Sequence, residues 1–135
     1  MKEQLKNTIN NSENYTLAVA EAMPEKNYTT KPVDAVYDFR ELMSHIAYGI
    51  EWWTNNYIKK EETAWNPPAS KTNKKEAISS LKDSYEYLRK SLNNGTISEE
   101  KLNGLYATLD HITHHRGQAT TYLRIKGITP PEYTY

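Results

Sequence analysis

Leu109-Asp110-His111-Ile112-Thr113-His114-His115-Arg116-Gly117-Gln118 carries three of the four histidines of this 135-residue chain. Stepped at about 100° per residue, His111, His115, Gln118 and Tyr122 fall within about a 60° sector, with Thr108 at its edge. Leu102, Leu105, Leu109, Ile112, Ala119 and Leu123 form a separate apolar stripe beside it. A polar stripe adjoining a core stripe is the pattern of a helix that lines a pocket. His114 points roughly 80° away from the His111–His115 mid-line, which makes it the poorest ligand of the three.

Working outward, this helix is predicted to start near Thr96 or Ser98 and to reach Lys126, where Gly127 and then Pro130-Pro131 stop it. A break near Asn103-Gly104 would divide it into a short and a longer helix. A first helix is expected from Lys2 to Ala22, ended by Met23-Pro24. A second is expected from about Val33 to Lys59, because Val36, Phe39, Met43, Ile46, Ile50, Trp53 and Tyr57 recur at helical spacing. Trp65-Asn-Pro67-Pro68 breaks the chain. A third helix is expected from Lys74 to Asn94, with Ile78, Leu81, Tyr85, Leu88 and Leu92 as its stripe. Asn73 and Glu76 are spaced as a capping box, and Gly95 suits a left-handed terminator. Four amphipathic segments of this length make an all-α four-helix bundle the natural architecture, as one domain over residues 1–135. The aromatic tail Pro131-Glu-Tyr133-Thr-Tyr135 is expected to pack back on the body.

Composition narrows the function. Lys plus Arg and Asp plus Glu both number 17, so the formal net charge is zero, which argues against nucleic acid as a partner. Cysteine is absent, so disulfides, thiolate ligands and a cysteine nucleophile are excluded. The N-terminus lacks the apolar core of a signal peptide, and no run is long enough to span a membrane. A cytoplasmic protein is expected.

His111 and His115, four residues apart, can grip one ion, and a third imidazole from a neighbouring helix would leave a coordination position open. The plain alternative is two half-buried side chains with ordinary hydrogen bonds. The fourth histidine, His45, sits inside a helix otherwise filled with core residues, where an unpartnered imidazole would be costly. Arg116 falls on the apolar side and needs a partner, either a carboxylate or a chain terminus, unless it snorkels to solvent. Gly117 inside a helix costs about 1 kcal/mol relative to Ala, so either a neighbour approaches closely or the residue is tolerated.

His111-Ile-Thr-His-His115-Arg116-Gly117-Gln118, then Tyr122-Leu-Arg124, Gly127 and Pro130-Pro131, resembles the C-terminal signature of the DinB/YfiT-like superfamily. Met23-Pro24 to Tyr28, Pro32-Val33, and Phe39-Arg-Glu-Leu42-Met-Ser-His45 resemble its first half. The resemblance implies an up-down-down-up bundle, often a homodimer, with zinc or nickel held by His45, His111 and His115. His114 matches no ligand. Members of the superfamily include thiol-dependent S-transferases.

The resulting expectation is a metal-dependent enzyme acting on a small-molecule substrate. With no cysteine in the chain, the thiol would come from a low-molecular-weight cofactor, and S-transfer to a small electrophile is the first reading. A metal-dependent hydrolase and a non-enzymatic metal-binding or dimerising bundle are the alternatives. Gly49 would leave room above the ion, and Trp52, Trp53, Gln118 and Tyr122 are the candidate pocket walls. No general base stands out among Glu51, Asp38 and Asp110. Asp110 is instead a candidate hydrogen-bond partner for a ligand histidine.

Overall fold

The computed structural model describes residues 1–93 and 95–133. Four helices, α1 (Glu3–Ala22), α2 (Phe39–Trp53), α3 (Lys74–Leu92) and α4 (Glu99–Ile125), make an all-α bundle, with no strand among the described residues. α2 packs chiefly on α3 and α4, and α1 on the same two helices, so α1 and α2 stand on one diagonal of the bundle. Ile9, Val19, Phe39, Met43, Ile46, Ile50, Leu81, Tyr85, Leu88, Leu105, Ile112 and Leu123 fill the centre. Among the described residues, no helix is long and apolar enough to cross a membrane.

The second helix begins later than its apolar spacing predicts. Val33 and Val36 lie in the preceding loop, 57% and 38% exposed. The start is set by a capping box. Asp38 Oδ1 accepts the Glu41 backbone N–H at 2.7 Å, and Glu41 Oε1 accepts that of Asp38 at 3.1 Å. Two orphan donors are satisfied together, and this outweighs the apolar spacing upstream. The helix also ends differently. Thr54–Ile58 form a single π turn, in which the buried Thr54 hydroxyl donates to the Ile50 carbonyl at 2.6 Å. The expected stripe therefore frays at both ends, with Trp53 half-buried and Tyr57 exposed.

The fourth helix is unbroken from its Ser98 cap through Asn103-Gly104. Gly104 is needed there for packing. A Cβ on it would fall 2.9 Å from both Cβ and the carbonyl oxygen of Tyr57 in the π turn. At the far end, Gly127 takes φ +71°, the Gly127 N–H donates to Arg124, and the Ile128 N–H donates to Leu123, which is a Schellman stop.

Asn73 caps α3 through the Glu76 N–H, but the Glu76 carboxylate turns to the Thr72 hydroxyl instead of the Asn73 N–H, so the expected box is only half formed. Gly95 is left-handed at φ +86°. Asn94 lies outside the described residues, as do Thr134 and Tyr135 of the tail. The described part of the tail does pack back, with the Tyr15 hydroxyl donating to the Pro131 carbonyl and the Tyr133 ring edge-on to Tyr15.

Arg116 is buried between α1 and the tail. Among the described residues its guanidinium donates to the Thr16 hydroxyl and the Ser12 carbonyl, and it lies over the rings of Tyr15 and Tyr133. The expected carboxylate is replaced by neutral acceptors and aromatic faces, and the expected chain terminus lies outside the described residues. Gly117 faces open space, so no close helix approach explains it.

Candidate metal centre

α2 contributes His45, and α4 contributes His111 and His115 one turn apart. Because α2 packs directly on α4, the single histidine of one helix meets the pair on the other. His45 Nε2 lies 2.9 Å from His115 Nε2 and 3.2 Å from His111 Nε2. His114 is exposed, and its ring touches only the outer side of the cluster, against His115.

Burial, and then the charge of His115, lowers the His45 pKa to about 4. His111 is lowered to about 4 by burial and then by its three neighbouring histidines. His115 is lowered as well, chiefly by burial. All three rings are therefore neutral at pH 7, with nitrogen lone pairs available. His115 Nδ1 pairs with Gln118 Oε1 at 2.9 Å, which places the proton on Nδ1 and bares Nε2. Three such nitrogens around a tetrahedral ion, with bonds of ~2.0–2.1 Å, stand roughly 3.3 Å apart. The donor set fits a divalent metal ion in chemistry and in spacing. Among the described residues, no carboxylate joins the group.

The five residues expected to form the pocket have more varied places. Gly49 is buried against the His111 ring, so the room it leaves is taken by that ring. Gln118 orients His115. Tyr122 is buried, and its hydroxyl donates to the Tyr37 carbonyl at 2.7 Å, anchoring the loop before α2. Trp53 tilts against His111 and stacks on Tyr57, and Trp52 stands edge-on to Trp65. Asp110 and Glu51 are exposed, and Asp38 is spent on the α2 cap. His111 Nδ1 is buried with no hydrogen-bond partner among the described residues, so Asp110 does not orient it.

Two residues close to the centre were not singled out by sequence. Tyr37 and Trp65 flank the His45 ring, with centroids 5.2 and 5.5 Å away. Trp65 belongs to the connection between the π turn and α3, which is pinned by hydrogen bonds from Trp52 Nε1 to the Thr63 carbonyl and from the Asn66 N–H to the Tyr48 hydroxyl. The only signal was a tryptophan inside a Pro-rich break. Beside His45, a cavity of about 600 Å³ opens between α2, α3 and residues 67–71.

The model of the DinB family matches residues 89–135, which include His111 and His115. A DinB-like protein from Bacillus subtilis superimposes with a TM-score of 0.75 at 19% identity, over 98% of this chain and 99% of that one. One from Bacillus cereus gives 0.80 at 16% identity, over 98% and 97%. The chain has a DinB-like fold. No curated protein sequence matches it. The DinB-like fold and the convergent histidines together describe a bundle with a group that could bind a metal ion.

Proposed function

We propose that this DinB-like chain is a metal-dependent enzyme that transfers the sulfur of a low-molecular-weight thiol to a small electrophile. The observation that carries this reading is the convergence of three neutral imidazole nitrogens beside a cavity, with no fourth protein ligand in the group among the described residues. Structural ions are normally closed by four protein ligands, whereas an open position is the mark of a reactive centre. His45, His111 and His115 would hold the ion, with zinc or nickel the natural choices for imidazole donors.

A bound divalent ion would supply a Lewis acid that favours the thiolate form of an incoming thiol near neutral pH. The chain's own residues do the rest. Gln118 holds His115 in the tautomer that presents Nε2. Trp53 and the α2 backbone at Gly49 shield His111. His45 lines the cavity from which substrate would approach. The thiol must be a separate molecule, since the chain has no cysteine. Carbon–sulfur bond formation expels the leaving group with its electron pair, and the thiol proton passes to solvent.

The test is metal analysis of the purified protein and of H45A and H111A, followed by thiol and electrophile consumption with 1-chloro-2,4-dinitrobenzene or an epoxide. Retention of full metal content by both variants would exclude the three-histidine site. Electrophile loss without thiol would make the chain a hydrolase. A metal-loaded protein inert in both assays would make it a binding bundle.

A further inference from the structure

The cavity beside His45 has a chemistry of its own. Its volume, about 600 Å³, is that of a site for a small organic molecule. Of the three convergent histidines, His45 alone lines it, so an occupant lies against one edge of the centre. Tyr48 and Tyr87 form part of its wall, and their hydroxyls are already engaged. Tyr48 accepts from the Asn66 N–H, while Tyr87 donates to Asn55 Oδ1 and accepts from Lys59 Nζ. Tyr48 and Tyr37 therefore offer ring surface to an occupant, whereas the Tyr87 ring already carries the Lys59 ammonium 5.2 Å from its centroid. Pro67 and Pro68 extend the apolar wall.

The charge on the lining is one-sided. Glu41, Glu51 and Asp83 face the cavity, against the single ammonium of Lys71. Glu41 is partly committed to the Asp38 cap. The carboxylates of Glu51 on α2 and Asp83 on α3 form no hydrogen bond or ion pair among the described residues, and the two helices both line the cavity. Aromatic faces and unneutralised carboxylates around one cavity favour a cation and disfavour an anion.

We propose that this cavity selects a small molecule bearing an ammonium or guanidinium group on an apolar body. As a substrate class this rests on the S-transfer reading, but the binding preference is a property of the cavity itself. The test is therefore binding without turnover. Phenethylamine, its N-acetyl derivative and 3-phenylpropionate share a ring and similar length but differ in charge. They are titrated into the full chain, followed by calorimetry and tryptophan fluorescence.

Phenethylamine should bind roughly three- to tenfold more tightly than either analogue, the range that two partly exposed charge pairs supply. The preference should shrink in high salt and vanish in E51Q/D83N. Both side chains are exposed, so circular dichroism should show that variant folded, and E51Q and D83N separately should each lose part of the preference. Equal binding of all three compounds, tighter binding of the acid, no binding of the amine, or a preference that survives E51Q/D83N would each overturn the proposal. None of these outcomes depends on whether a thiol reacts, so the two readings fail separately.

Discussion

The imidazole of His111 lies against the backbone of Gly49, so closely that a Cβ at residue 49 would fall 2.3 Å from Cε1 and 2.7 Å from Nδ1. An α2 glycine thus fixes where the α4 imidazole can sit. Gly49→Ala should gain up to about 1 kcal/mol of helix propensity while pushing the ring out of register with His45 and His115. The expected result is an unchanged or slightly raised Tm together with metal affinity reduced by at least about tenfold, for which titration with a competing chelator is the check. A loss of stability with metal binding intact would show that the ring is not held there.

Gln118 is exposed, yet its Oε1 meets Nδ1 of His115, the ring nitrogen turned away from His45. Gln118→Ala should weaken metal binding by about 10- to 100-fold with little change in stability, whereas Gln118→Glu, which keeps an acceptor on Nδ1, should retain most of the affinity. Calorimetric metal titration of the two variants separates an orienting hydrogen bond from incidental surface contact.

The metal-free protein should lose stability as pH falls from about 6.5 to about 4. His45 and His111 have native pKa values lowered to about 4, mainly by burial, against 6.5 for the unfolded chain. In that window the unfolded chain binds more protons, so stability rises with pH and is fully present above the unfolded value. Both rings are partly exposed, so after screening the effect is of order 1–2 kcal/mol in total. Urea unfolding at pH 4.5 and pH 7.5 reads it, and H45N/H111N should reduce the difference.

Two helical glycines of α4 should respond in opposite directions. Gly104→Ala drives a methyl against the Tyr57 backbone in the π turn and should cost about 1–3 kcal/mol. Gly117→Ala meets open space and should gain up to about 1 kcal/mol. Denaturant midpoints at constant slope decide both.

Arg116→Met should destabilise by of order 2 kcal/mol, because it strips the buried Thr16 hydroxyl and the Ser12 carbonyl of a donor and removes the cation from the Tyr15 and Tyr133 rings. Arg116→Lys should recover little of it, since a compact ammonium cannot stack on the rings as a planar guanidinium does. Thermal unfolding of the pair is the measurement.

The four helices were legible because each buries a stripe at a spacing that periodicity reveals, and the Gly127 stop is chemistry local to the chain. The start of α2 was misplaced although its signal was present. Asp38 and Glu41 spell a capping box, but apolar Val33 and Val36 continued the helical spacing across it, and spacing alone does not register hydrogen bonds at a helix end. The π turn left no comparable mark. It depends on Thr54 bonding back to Ile50 and on the fit of Tyr57 against Gly104, a contact between residues far apart in sequence.

The sequence by itself determined an all-α bundle and a shared face for His111 and His115, because helical period and residue order are properties of one segment. Tertiary packing decided that His45 lies 2.9 Å from His115, that Gly49 seats the His111 ring instead of opening a pocket, and that Tyr37 and Trp65 flank His45. Those relationships are set by how α2 packs on α4 and where the Trp65 connection crosses, and no single segment encodes the distance between two helices.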